Sequence, residues 1–226
     1  MNSLLENLET EFIKHGDPII AAGQKAYMRG QFECYGLKAT IRRQIQKPYL
    51  NIKYLSKEYD IEETIKFLWK KPQREYQYFA QEFAYNSRAP LRKKDIHIYE
   101  FMVVNKSWWD TIDYISTKLI GKYFLEFPEE RKPTITKWLN SKNIWLQRSA
   151  ILFQLKYKEN LDTSLLTYII TSLLNSNEFF INKAIGWILR EYSKTNPQWV
   201  LKFIDRTKLN SLSQREALKF INKQKL

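Results

Sequence analysis

The feature that most constrains this chain is a short motif that returns at nearly constant intervals. Arg74-Glu75-Tyr76-Gln77-Tyr78-Phe79, Trp109-Asp110-Thr111-Ile112-Asp113-Tyr114, Arg148-Ser149-Ala150-Ile151-Leu152-Phe153 and Lys183-Ala184-Ile185-Gly186-Trp187-Ile188 align in register, with starts 35, 39 and 35 residues apart. That period is the length of a stacked helix pair, in which each pair buries its apolar face only against its neighbours. The expected fold is therefore all-α: a HEAT-like helical repeat solenoid, an α-α superhelix whose basic concave groove is lined by one helix from each pair. It is expected as a single domain over 1–226, since no stretch reads as a linker.

Local patterning agrees. Apolar residues recur with helical spacing over segments near 3–14, 17–29, 40–58, 61–70, 73–87, 94–104, 108–125, 130–140, 144–157, 162–175, 178–194, 197–205 and 213–223. Six Gly and seven Pro are too few to turn many short strands. Asp17-Pro18 and Asn196-Pro197 read as a capping residue followed by proline in the first helical position, and Ser107, Asn143 and Asn177 are placed as N-caps.

Thirty-seven Lys+Arg against 24 Asp+Glu leave a net charge of +13, which points to a polyanionic partner, although a generically basic surface would explain charge alone. Seven Trp and 14 Tyr favour nucleic acid, because aromatic faces beside cations suit bases and sugars. One cysteine, Cys34, and two separate histidines, His15 and His97, exclude a disulfide framework and a Cys/His zinc site. The sequence has no signal-peptide pattern and no run of about 18 apolar residues, so a cytoplasmic protein without a membrane partner is expected.

Helical wheels separate core from groove. In 178–194, Ile181, Ile185, Ile188 and Tyr192 form the buried stripe, leaving Lys183, Trp187 and Arg190 on the other side. In 108–125, Trp108, Ile112, Ile115 and Leu119 form the stripe, with Trp109, Asp113 and Ser116 to one side. Stacking these helices is expected to bring Trp109, Asp113 and Trp187 into one cleft, with Arg148 between them and Arg190 beside them. Each residue also has a plain structural reading: Trp109 as core, Asp113 as a solvated helix carboxylate, Arg148 as the partner of a buried acid. An acid inside a phosphate-binding groove is nevertheless repelled by its ligand and must serve some other purpose there.

At these residues the chain resembles the AlkD family of DNA alkylation-repair enzymes, which are HEAT-like-repeat DNA glycosylases. The likeness rests on Lys25-Ala26-Tyr27-Met28, Arg74-Glu75-Tyr76-Gln77-Tyr78, Ser107-Trp108-Trp109-Asp110-Thr111-Ile112-Asp113, Trp145 through Leu155, and Lys183 through Tyr192. It implies excision of positively charged N3- and N7-alkylpurines (3-methyladenine and 7-methylguanine) from duplex DNA, by a monomer of the bacterial nucleoid region that uses no cofactor and no metal. It also implies that Asp113, Trp109 and Trp187 are catalytic, at the lesion sugar. Arg148 and Arg190 are implied to hold flanking phosphates and Tyr27 to contact the duplex, with Lys183 and Arg43 also DNA-binding. The family often has Thr-Pro before a pair of arginines, where this chain has Ala39-Thr40-Ile41 before Arg42-Arg43.

The chemistry fits those residue types. Alkylation at N7 or N3 makes the base cationic and a good leaving group, so the remaining task is to stabilise an oxocarbenium-like deoxyribose. A fixed carboxylate can face that charge and position or deprotonate water. Two indole faces add cation–π stabilisation of about 0.5–2 kcal/mol each. No base-reading pocket motif is found, in keeping with a shallow cleft implied by the family. The rival readings are a non-catalytic DNA-structure binder on the same scaffold, which should lack the acid, and a protein-interaction scaffold, which explains neither the charge nor the tryptophan-framed carboxylate.

Overall fold

The computed structural model describes residues 2–50, 60–86 and 90–224, and these gather into two compact units, Met1–Pro90 and Leu91–Leu226. The first contains α1 (Asn2–Lys14), α2 (Pro18–Tyr27), α3 (Ala39–Gln46), α4 (Ile61–Lys70) and α5 (Arg74–Asn86). The second contains α6 (Ile96–Val104), α7 (Trp109–Tyr114), α8 (Gly121–Glu126), α9 (Arg131–Asn140), α10 (Ile144–Leu152), α11 (Thr163–Ser172), α12 (Phe179–Tyr192), α13 (Pro197–Arg206) and α14 (Ser211–Lys223). No strand occurs among the described residues; one isolated bridge joins Glu33 and Gln73. The fold is all-α, as a helical repeat requires.

In the first unit, a loop is pinned by a buried acid. Glu75, at the start of α5, is 1% exposed and accepts hydrogen bonds from the backbone N–H groups of Tyr35, Gly36 and Leu37 at 3.1, 3.1 and 3.3 Å. The carboxylate thereby compensates its own desolvation and fixes the approach to α3. Gly36 has φ +89°, and a Cβ there would lie 2.0 Å from the Asp17 carbonyl oxygen. Gly36→Ala should lower the thermal midpoint, since the left-handed backbone alone costs about 1–2 kcal/mol for an L side chain. Gly23 is the control: it sits inside α2 with nothing near its missing Cβ, and Gly23→Ala should be neutral or stabilising by about 0.5–1 kcal/mol.

The second unit is built in two rows. The helix of α7 and α8, then α10, α12 and α14, form one row, with α10 packed on α7 and on α12, and α12 on α14. Helices α9, α11 and α13 lie behind them, α9 and α11 each packing on α10. The expected core stripe is buried: Ile181, Ile185, Ile188 and Tyr192 are at most 8% exposed. Complete burial of one such side chain is worth roughly 1.5–3 kcal/mol.

Three of the five expected caps are found. Asp17, Asn143 and Asn196 accept from the first backbone N–H groups of α2, α10 and α13. Ser107 instead donates to the carbonyl of Val103 at 2.6 Å and closes α6, leaving Trp108 in the capping position of α7. Asn177 is displaced because α12 begins two residues later, after Glu178.

Three segments differ from their sequence patterns. The expected 40–58 helix gives α3, which ends at Gln46 before Pro48, then a short turn over Pro48–Leu50; its remainder, 51–58, lies outside the described residues. The 144–157 segment stops being helical at Leu152. Between α7 and α8 the backbone runs without a break through a π-helical stretch, Ile115–Ile120. Ser116, expected on the face of Trp109 and Asp113, lies in this stretch, is 0% exposed and donates to the Ile112 carbonyl at 2.6 Å. Ser116 also bonds Ser149 at 2.9 Å, locking this helix against α10 beside Arg148.

Candidate active site

Asp113 stands one turn after Trp109 on α7, so the two share a helix face, and both are half-buried. Arg148, on α10, presents a planar fork to the carboxylate. Its Nε donates to Asp113 Oδ1 at 2.8 Å and its Nη2 to Oδ2 at 3.1 Å, while Nη1 donates to the backbone carbonyl of Phe180 at 2.6 Å. One guanidinium thus joins α7 and α10 to the first turn of α12. The Arg148 side chain is 4% exposed and the Asp113 side chain 20%, so the acid, not the base, faces outward.

Burial pushes the Asp113 carboxyl above the usual range, Arg148 pulls it down through charge and hydrogen bonding, and Asp110 nearby pushes it up; the net displacement is upward. Arg148 is therefore what keeps this acid within reach of ionisation. Arg148 is expected at a flanking phosphate; here each of its guanidinium nitrogens donates one hydrogen bond inside the protein. α10 packs between α7 and α12, and the Arg148 side chain is 4% exposed.

Aromatic rings crowd the ends of the same helices. Trp108, Trp145 and Phe180 stand at or near the first turns of α7, α10 and α12, with ring centroids 4.9–5.8 Å apart. They form an apolar wall beside the Arg148 contact with Phe180.

Farther along α12, Lys183, Trp187 and Arg190 are all half-buried on the face opposite the core stripe, as the wheel predicts. Trp187 lies one turn after Lys183 and just under one turn before Arg190. Both cations bond a residue that the sequence reading did not single out: Glu216 on α14, 2.8 Å from Lys183 Nζ and 2.9 Å from Arg190 Nη1. Lys219 bonds the same carboxylate at 2.6 Å. The only available signal was weak, the spacing of Glu216 and Lys219 by three residues in a helix without other marks.

The remaining expected DNA-binding residues belong to the first unit. Tyr27 is the last residue of α2 and is 68% exposed. Arg43 points outward from α3 with its Nε 3.9 Å from Glu82, whereas its neighbour Arg42 is buried over the Tyr78 ring at 4.3 Å. Of the arginine pair, Arg43 is the one open to solvent. Among the described residues no three His, Cys, Asp or Glu side chains are grouped as metal ligands, and no helix is long and apolar enough to cross a membrane.

The DNA alkylation repair enzyme family matches residues 8–221. Among solved structures, one described as a predicted DNA alkylation repair enzyme from Enterococcus faecalis is similar, with a TM-score of 0.85 and 33% identity, covering 92% of this chain and 97% of that one. No curated protein matches the sequence. With a family match over almost its whole length, and a solved relative of the same fold at that identity, the chain belongs to the DNA alkylation repair enzyme family.

Proposed function

We propose that the protein is a DNA glycosylase that releases positively charged N3- and N7-alkylpurines from duplex DNA, with Asp113 as the group that faces the reacting sugar. The observation that carries this reading is the Asp113–Arg148 pair: a partly exposed carboxylate gripped at both oxygens by a buried arginine that also bonds the Phe180 carbonyl. A carboxylate held in that way is preorganised to oppose positive charge developing on C1′ and to orient a water for attack. Trp109, on the same face of α7, and Trp187 would supply π-faces to the sugar. Arg148 then acts by positioning and ionising Asp113, while Lys183, Arg190, Tyr27 and Arg43 remain as DNA contacts.

Lesion choice follows from the chemistry. An already cationic base needs no protonation to leave, while a neutral one would depart as an anion, a deficit that two indole faces at about 0.5–2 kcal/mol each cannot offset. Asp113, needed ionised, cannot also serve as the acid. We expect release of 7-methylguanine and 3-methyladenine, with uracil and O6-methylguanine left in place, when four otherwise identical duplexes are compared under single turnover by assaying free bases and abasic sites. Efficient uracil release would require a base-activating group absent from this scheme. Duplex binding without release of any base would favour a non-catalytic binder on the same scaffold.

A further inference from the structure

Glu216 is 3% exposed, yet three cations contact it: Lys183 and Lys219 on Oε1, Arg190 on Oε2. One cation is enough to compensate a buried carboxylate. Three leave the cluster with a formal charge of +2, and their side chains are 38%, 48% and 30% exposed, so their outer faces meet solvent. Among the described residues Arg190 uses only Nη1 on Glu216, which leaves Nε and Nη2 for an outer ligand.

The cluster is built into the packing. A Cβ on Gly186 would lie 2.5 Å from Glu216 Cβ and 2.8 Å from the Ser213 carbonyl oxygen, so glycine alone lets α14 come this close to α12. Ser213 Oγ donates to the Asn182 carbonyl at 2.8 Å and fixes the register of the two helices. A glycine inside a helix costs roughly 0.5–1 kcal/mol relative to alanine, and here it permits one short acid to reach cations on both sides of Trp187. Burial pushes the Glu216 carboxyl up, but its bonds to Lys183 and Lys219 outweigh that and pull it down to about 2, so the anchor stays ionised at working pH.

We infer that Glu216 organises Lys183, Arg190 and Lys219 into one subsite for a backbone phosphate of duplex DNA, on the face of α12 that carries Trp187. The inference rests on the glycosylase reading for the identity of the anion. A phosphodiester suits the site because its two non-bridging oxygens can take the free edge of the Arg190 fork and a lysine together. Lys219 is a contact residue and Glu216 a positioning residue: it bonds no ligand and holds the nitrogens that do.

The test is binding of a fluorescent, undamaged duplex by the full chain across a KCl series. Lys219→Ala should weaken binding and flatten the slope of log K against log[salt] by about 0.9, and Arg190→Ala should do the same. Because both would bond one phosphate, the double variant should lose less than the sum of the two. Glu216→Gln removes a negative charge, which on charge count alone tightens binding; loss of the anchor should loosen it instead, in protein shown to be folded by circular dichroism. An unchanged slope for Lys219→Ala, or tighter binding by folded Glu216→Gln, overturns the subsite. Release of 7-methylguanine by the unaltered protein is read separately. Release with an unchanged Lys219→Ala slope removes the subsite and leaves the glycosylase, and binding without release does the reverse.

Discussion

Asp113→Asn should slow single-turnover release of 7-methylguanine by about a hundred- to a thousand-fold, the usual loss when one preorganised electrostatic group is removed from a site of charge development. The substitution is nearly isosteric, and the new amide oxygen can still accept from Arg148 Nε, which now donates to Oδ1 at 2.8 Å. It can neither supply negative charge nor accept a proton from water. Affinity for the duplex should hold or rise slightly, since an acid has been taken from a phosphate-binding surface. The fold bears part of the cost, because the Arg148 side chain, 4% exposed, then lacks a full counter-charge. Rates should therefore be taken at saturating enzyme, with the folded fraction followed by circular dichroism. Full activity in the folded variant would remove Asp113 from the mechanism.

The same pair shows how far the sequence carried the argument. Repeat spacing and helical wheels were enough to place Asp113 one turn from Trp109, and Lys183, Trp187 and Arg190 together away from the core of α12, because periodicity reports which face of a helix is buried. Periodicity does not report depth. Arg148 occupies the repeat position of Trp109 and Lys183, yet α10 packs between α7 and α12, and its side chain bonds Asp113 with only 4% of its surface exposed. The π-helical stretch at Ile115–Ile120 leaves no composition signature either, and Ser116, expected beside Trp109 and Asp113, lies buried within it. Glu216 was hardly marked in the sequence for a third reason. Its role depends on the close approach of α14 to α12 at Gly186, a tertiary contact between residues 30 positions apart in the chain.

Arg148→Met should move the acid limb of the pH–rate profile to higher pH, in addition to lowering activity near neutrality. In the unaltered protein, burial raises the Asp113 carboxyl and Arg148 opposes that rise. Removing the guanidinium leaves desolvation and the nearby Asp110 charge acting in the same direction, so the acid stays protonated to a higher pH. Raising the pH should then restore part of the lost rate. Stability should follow the opposite trend. A carboxyl whose pKa is higher in the folded chain than in the unfolded one binds more protons when folded, so stability falls as pH rises through the interval between the two values. The variant should thus be most stable in acid and lose stability toward neutral pH. Removing one partner of a buried pair costs about 3–5 kcal/mol when the other stays charged, and protonation of Asp113 relieves part of that. A phosphate contact makes a different signature: the salt slope of duplex binding would fall by about 0.9 and the acid limb would stay in place. Thermal unfolding from mildly acidic to mildly basic pH, set beside the pH–rate profile and the salt series, separates the two roles. A fixed acid limb with a flattened slope would return Arg148 to the DNA backbone and leave Asp113 without its anchor.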